Sequence, residues 1–256
     1  MSRHRLLLIV SAMIALPFFL MPAIPQDLNY HNFASEEQLW GIPNFWNVMS
    51  NLPFLFVSIS MLKKLRPLNS FYSKMGAVFA LGVLFTSFGS AYYHYQPHNG
   101  SLFWDRLPMT IAFSGMFLLL LGTRVSLNSA KWLLIPVLSG GILSVVYWRW
   151  TETLGAGDLR PYAYAQFGTL LLIFAILMIY KVSRVQQTSK IVLAFILYAF
   201  AKLFETFDHQ IYSLMGFCGG HPIKHFAAAA AAAAFAKFAI EEIQAQRHSR
   251  KTKCEQ

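Results

Sequence analysis

Stretches of about twenty mostly apolar residues recur along the chain, and this repetition restricts its fold more than any other feature. A helix of roughly 20 apolar residues crosses a hydrocarbon layer ~30 Å thick, where only helices and closed barrels satisfy every backbone polar group. We therefore predict eight membrane-spanning helices, placed approximately at 6–24, 44–62, 75–95, 103–123, 131–149, 161–181, 190–213 and 222–243.

The composition also indicates a membrane protein. Of the 256 residues, 56% are hydrophobic and only 12% are charged, whereas soluble domains contain roughly 25% charged residues. The sequence thus predicts an all-α, multi-pass integral membrane protein. We interpret the net charge of +10 as a signal of membrane orientation, and we expect no nucleic-acid partner.

The predicted organisation has three parts. Residues 1–25 combine a basic start with an apolar run, which is typical of a transmembrane helix, a signal anchor or a signal peptide. No A-x-A cleavage pattern follows, so we favour an uncleaved helix. Residues 26–245 form one domain of seven further helices, and residues 246–256 form a basic tail.

Positive charges lie mainly at one end of the predicted helices, and such an excess indicates the cytoplasmic side. Both termini are therefore expected in the cytoplasm. The acid-poor N-terminal region and the lack of a retention signal favour a bacterial plasma membrane. Only four cations lie at the opposite, outer end: Arg106, Arg149, Arg160 and Lys224.

Ionisable residues at membrane depth are costly and often functional. Five polar residues are predicted near the outer ends of their helices, within one layer of the membrane: Ser90, His94, Asp105, His221 and His225. Ser90 and His94 are four residues apart and share a helix face. The short turn 96–101 brings the chain straight back, so that Asp105 lies in the first turn of the next helix.

His221 and His225 open the last helix, which we expect to begin near Pro222 with His221 as its cap. Three histidines with one open position form the ligand set of catalytic zinc sites. Each residue also has a simpler explanation, because interfacial histidines are often hydrogen-bonded packing residues, and Asp105 could cap a helix. His98 is an alternative ligand in the turn.

Short motifs in this order resemble the alkaline ceramidase family. They are S-x-x-x-H at 90–94, the aspartate eleven residues later with Pro108 beyond it, and H-x-x-x-H at 221–225. The segment NFWNVMSNLPF at 44–54 is also similar to the first core helix of that family. The family belongs to a group of seven-helix membrane hydrolases that includes the adiponectin and progestin receptors, so the resemblance implies a seven-helix core with an extra N-terminal helix.

The resemblance implies a zinc ion bound by His94, His221 and His225, and hydrolysis of an amide in ceramide or a related N-acyl lipid. Asp105 is then suited to accept a proton from water and deliver it to the leaving amine. Ser90 is suited to donate a hydrogen bond to the oxyanion.

Calcium is not predicted. Relatives with a calcium site have a glutamate just before F-W-N, where this chain has Asn44, and few carboxylates precede it.

Other polar residues are expected to be structural. Asn47, Ser50 and Asn51 share a face and should bond to a neighbouring helix. Lys202, Glu205 and Asp208 are interpreted as partners that hold the bundle together, with support of a zinc histidine by Asp208 or His209 as the alternative.

The residues by themselves are also compatible with two other functions. One is a receptor-like or scaffold protein with a structural zinc, and the other is a cation or proton transporter. A transporter needs polar groups through the whole membrane depth, whereas here they cluster at the outer end. The sequence makes no prediction of the oligomeric state.

Overall fold

A computed structural model describes residues 1–180 and 185–254, with the side chains of 185–187 and 248–254 left aside. Within these ranges the protein is built of helices and contains no strand. The α-helices are α1 (Arg3–Leu20), α2 (Phe45–Met49), α3 (Leu52–Leu65), α4 (Phe71–Tyr95), α5 (Asn99–Arg124), α6 (Leu127–Trp132), α7 (Leu134–Thr153), α8 (Arg160–Ala163), α9 (Thr169–Ile179), α10 (Val185–Thr206), α11 (Asp208–Met215) and α12 (Gly220–Cys254).

The prediction of an all-α membrane protein is confirmed. Five helical segments are long and apolar enough to cross a membrane: Arg3–Leu20, Phe45–Leu65, Phe71–Tyr95, Asn99–Arg124 and Arg160–Ile179. The chain is therefore a multi-pass membrane protein. The other three predicted spans coincide with α7, α10 and α12, and their crossing of the membrane stays a prediction.

Several predicted spans consist of more than one helical piece. The second is divided at Ser50 and Asn51, and Pro53 lies in the first turn of the piece that follows. The sixth passes through one turn of π-helix at Tyr164–Gly168. In the seventh, α10 ends at Thr206 and the separate helix α11 follows from Asp208. Hydropathy alone cannot locate such breaks, because apolar residues continue through them.

The pair α4 and α5 forms the centre of the bundle, and glycine allows their backbones to touch. A Cβ atom at Gly89 would lie 2.0 Å from the carbonyl oxygen of Trp104, and one at Gly115 would lie 2.5 Å from the backbone nitrogen of Phe79. Small residues permit this approach in membrane helices. Ser90 and Asp105 directly follow Gly89 and Trp104. The contact at Gly89 therefore fixes the position of Ser90 relative to Asp105 along the axes of the two helices.

The alanine-rich helix α12 packs against α10 on one side and α3 on the other. Ala229 and Ala231 of the alanine run are buried, and so are Phe235 and Phe238 below it. Small side chains in the upper half of α12 thus allow close packing beside its two histidines.

Helix α1 lies on the outside of the bundle against α9, and none of its side chains is buried. Its end is nevertheless tied to the core. The backbone N–H of Leu159 donates to the carbonyl oxygen of Ile24 at 2.8 Å, and the Arg160 guanidinium donates to that of Met21 at 2.5 Å. The division into residues 1–25, 26–245 and 246–256 stays a prediction.

Replacing Gly89 by alanine should separate α4 from α5, because the added methyl group meets backbone atoms that cannot rotate away. We expect a loss of about 1–3 kcal/mol or more in the free energy of unfolding. Gly140→Ala is the matched control, since a Cβ atom there has no neighbour within 4 Å. Thermal unfolding in detergent should show a lower Tm for Gly89→Ala only. Equal Tm values in the two variants would contradict the close packing.

Candidate metal and catalytic site

The structure brings together His94, His221 and His225, one from the end of α4 and two from the start of α12. Each offers one nitrogen, and these three atoms lie within 4.8 Å of one another. All three side chains are buried. A cluster of this size, made of three imidazoles, is compatible with one bound metal ion.

The start of α12 is fixed by a carboxylate from another helix. Asp208 accepts the backbone N–H of His221 at 2.8 Å through one oxygen and that of Ala34 at 2.9 Å through the other. The helix begins at Gly220, close to the predicted start near Pro222, but His221 lies within its first turn and is not its cap. The first turn instead uses a distant acidic side chain, whose contribution local sequence does not show.

Gly220 brings α12 against α10 at this point. A Cβ atom at Gly220 would lie 2.1 Å from the carbonyl oxygen of Phe204. Any larger residue would push the first turn of α12, with His221, away from α10. The sequence Gly-Gly before the histidine is therefore required for the position of this histidine.

Ser50 orients one of the histidines. Its hydroxyl lies 2.7 Å from Nδ1 of His225, in a contact that is buried on both sides. Because Nδ1 is engaged, Nε2 remains as the nitrogen that can bind a metal. Sequence reasoning assigned Ser50 a purely structural role, although its place in the F-W-N-x-x-S-N motif was a usable signal.

The other two histidines of the cluster each have a buried ring nitrogen that is available to bind a metal ion. Nδ1 of His94 and Nε2 of His221 are buried and have no hydrogen-bond partner among the described residues. A buried polar atom without a partner costs roughly 1–3 kcal/mol. A metal ion would satisfy both atoms, and the neutral imidazoles are its usual ligands.

Ser90 and Asp105 line a cavity of about 360 Å³ together with His225. The Ser90 hydroxyl lies beside the Asp105 carboxyl group, as expected from the contact of α4 and α5 at Gly89. A group that can exchange protons and a hydrogen-bond donor thus lie next to the histidine cluster.

This cavity has a polar and an apolar end. An adjoining apolar cavity of about 140 Å³ extends into the bundle and shares part of its lining with the first. The shared residues are Phe54, Thr86, Met109, Tyr198 and Ala228. The arrangement suits a ligand with a polar group at one end and a hydrocarbon chain at the other.

The segment before α2 covers the histidines, which the sequence did not predict. The ring of Phe33 lies edge-on to His94 at 4.7 Å and to His221 at 4.5 Å between ring centroids. His31 anchors the segment through hydrogen bonds of 2.9 Å to the Tyr93 hydroxyl and to the side-chain oxygen of Asn99. Burial lowers the pKa of His31, which favours its neutral form.

A second group of charges lines the cavity. The Glu205 carboxylate pairs with Lys202 in the same helix and with Lys224 of α12 at 2.5 Å. It also accepts the Tyr30 hydroxyl at 3.1 Å. The predicted structural pairing holds for Lys202 and Glu205, whereas Asp208 makes separate contacts.

Three further predictions concern residues near the site. His98 caps α5 by accepting the backbone N–H groups of Gly100 and Ser101, so its nitrogen serves the helix end rather than the histidine cluster. Of the two residues considered as support for a zinc histidine, Asp208 does hold His221, through its backbone N–H rather than its ring. Exposed His209 instead lies near the carbonyl oxygen of Asn32.

Asn44 also contributes indirectly, because its side chain donates to the carbonyl oxygen of His94 at 2.9 Å. The residue just before F-W-N therefore binds the backbone of a histidine in the cluster.

Removing the Ser50 hydroxyl should weaken metal binding, because Nδ1 of His225 loses the contact that fixes its ring. Loss of such a contact typically lowers metal affinity about 10–100-fold. Ser58→Ala is the matched control, since Ser58 is equally buried but bonds only to a carbonyl oxygen of its own helix. Metal titration with a competing chelator would measure both variants. Equal affinities would show that Ser50 does not orient the ligand.

Comparison with known proteins supports the resemblance noted above. The model of the Ceramidase family matches residues 38–215, which are 178 of the 256 residues. The match includes Ser90, His94 and Asp105 and ends before His221 and His225. No curated protein matches the sequence. Because the family match covers more than half of the chain, the protein belongs to the Ceramidase family and is a hydrolase that acts on amide bonds.

Proposed function

We propose that the protein is a zinc-dependent intramembrane hydrolase that releases a fatty acid from ceramide or a related N-acyl lipid. The observation that carries this proposal is the convergence of His94, His221 and His225 beside the cavity that contains Asp105 and Ser90. Family membership supports the amide bond and the lipid substrate.

Zinc is the metal that suits the donor set best. Three imidazole nitrogens favour a borderline-soft ion, whereas magnesium and calcium prefer oxygen. His94 and His221 provide nitrogens without other partners, and Ser50 leaves Nε2 of His225 free. When bound, zinc polarises a carbonyl group and lowers the pKa of a water molecule toward ~7.

Asp105 and Ser90 would perform the proton transfers and stabilise the developing charge. Asp105 accepts a proton as a water oxygen forms its bond to the amide carbon. It then delivers this proton to the nitrogen as the C–N bond breaks, so that a fatty acid and an amine leave. The Ser90 hydroxyl donates a hydrogen bond to the carbonyl oxygen when that oxygen becomes negative.

The lipid would lie with its amide at the polar end of the cavity. The apolar extension between α4, α5, α10 and α12 receives a hydrocarbon chain, with Phe79, Val83 and Phe235 in its wall. Because the chain of a membrane lipid already lies in hydrocarbon, close packing in this extension holds it there, rather than transfer from water.

The positive-inside pattern supports a location of both termini in the cytoplasm and of the site toward the outer side of the membrane. We propose a bacterial plasma membrane as its location, so that the site faces the periplasm or the exterior. Substrate would then enter from the outer leaflet.

Two variants separate metal binding from catalysis. His94→Ala should lose bound zinc, because only two ligands remain. Asp105→Asn should keep about one zinc per chain but lower kcat by about 10²–10⁴-fold, the usual contribution of acid–base catalysis. Elemental analysis and fatty-acid release from a panel of N-acyl lipids would measure both effects.

His209→Ala provides the control, since this histidine is exposed and lies outside the cluster. It should keep both zinc and activity. Folded wild-type protein without any metal would contradict the zinc site. Bound zinc without release of fatty acid from any N-acyl lipid would instead favour a structural metal.

A further inference from the structure

Arg106 is a buried arginine in the wall of the catalytic cavity. It follows Asp105 in α5, and its exposed fraction is 6%. No carboxylate of the described residues lies within ion-pair distance of its guanidinium. A charged group in this position is unusual, because burial of an unpaired charge is costly.

Aromatic rings and one neutral amide hold the guanidinium. Its carbon lies 4.3 Å from the ring centroid of Trp148, 4.8 Å from that of Tyr162 and 5.6 Å from that of Tyr30. Nη2 donates to the side-chain oxygen of Gln26 at 2.7 Å, and buried Nη1 has no partner among the described residues. These contacts fix the side chain but give its charge no ion pair among the described residues.

Gln26 is itself held in place, so the arrangement is rigid. Its backbone N–H donates to Glu152 at 2.6 Å, and its side-chain nitrogen donates to the carbonyl oxygen of Asp27 at 2.9 Å. Glu152 also accepts the indole N–H of Trp148 at 3.1 Å. A guanidinium fixed in advance loses little conformational entropy when a ligand binds.

The two lysines that line the same cavity are neutralised, and so is Arg160. Lys202 and Lys224 share the Glu205 carboxylate, and Arg160 pairs with Asp158 at 2.8 Å. Arg106 therefore differs from the other basic residues around the cavity in having only neutral partners.

We propose that Arg106 is an anion-binding residue of the catalytic cavity that holds an anionic oxygen group of the lipid ligand. The inference rests on the proposed function, since hydrolysis of any N-acyl lipid produces a carboxylate in this cavity. A charged headgroup of the substrate offers the same chemistry. Either group would form charge-assisted hydrogen bonds with the guanidinium, which are stronger than those between neutral groups.

The experiment compares pairs of ligands that share a hydrocarbon chain and differ in whether they carry an anionic group. Oleate and oleyl alcohol have the same hydrocarbon chain, and their comparison tests whether Arg106 binds the carboxylate of the released fatty acid. Sphingosine phosphate and sphingosine also have one chain in common, and their comparison tests whether Arg106 binds an anionic headgroup. None contains an amide bond, so equilibrium binding to the full-length protein in detergent proceeds without hydrolysis. Intrinsic tryptophan fluorescence can follow binding, because Trp148 stacks on Arg106.

Two variants remove the charge in different ways. Arg106→Gln deletes it, and Gln26→Glu neutralises it in place with an isosteric carboxylate. Each should lower the preference for the anionic member of a pair by about 10-fold, the effect of losing one hydrogen bond to a charged group. Gln26→Glu retains the buried arginine and keeps the test valid if Arg106→Gln does not fold.

Arg160→Gln is the control, because it removes a cation that is already paired with Asp158. It should keep the anion preference. Gln26→Met removes the hydrogen bond that holds Arg106 but keeps the charge, so it should retain more of the anion preference than Gln26→Glu. A change only in the oleate pair would identify the released carboxylate as the ligand, and a change only in the sphingosine pair would identify a headgroup.

Unchanged preference in both charge-removing variants would overturn the proposal. Failure of the zinc hydrolase is recognised separately, because it would leave the wild-type protein without metal or without fatty-acid release. The binding measurement does not depend on either.

Discussion

The Asp208 carboxylate is the interaction on which the candidate site depends. One oxygen holds the first turn of α12, and the other holds the segment that carries Phe33. The same residue begins α11, so three parts of the chain meet at one buried acidic group. In a bundle whose surfaces are mostly apolar, hydrophobic contact alone would let α12 slide along its axis. The hydrogen bond to the Asp208 carboxylate defines the position of α12 along its axis. The positions of His221 and His225 follow from the position of this helix.

The second constraint is the contact between α4 and α5. Gly89 allows the two backbones to touch, and this contact brings Ser90 beside Asp105. Because His94 lies one turn above Ser90, the same helix presents a ligand to the histidine cluster and a hydrogen-bond donor to the cavity. The proposed metal and the proposed proton carrier are therefore placed by two different helix contacts, which meet at His94.

Charge is distributed unevenly around the cavity. Glu205 neutralises lysines from α10 and α12, whereas Arg106 is surrounded by aromatic rings and the Gln26 amide. The segment that supplies Gln26, Tyr30 and Phe33 precedes the region that matches the Ceramidase family. Part of the cavity wall, Gln26 and Tyr30, thus comes from residues that precede the matched region.

The sequence by itself determined the membrane class and the helical fold, and it predicted the residues of the candidate site. Stretches of twenty apolar residues leave a chain few alternatives to helices in a membrane, and histidines and an aspartate at one predicted depth are too costly to be placed without a partner. The spacing of four residues in His221 and His225 is visible locally, because one helical turn separates them.

Only the tertiary structure decided which groups support that site. Ser50 and His225 are 175 residues apart, and Asp208 reaches Ala34 over 174. No periodicity in one sequence contains such a pairing. The aromatic surroundings of Arg106 likewise come from three separate segments of the chain. Hydropathy indicates whether a residue can lie within the membrane. The packing of the helices decides which other residue it contacts there.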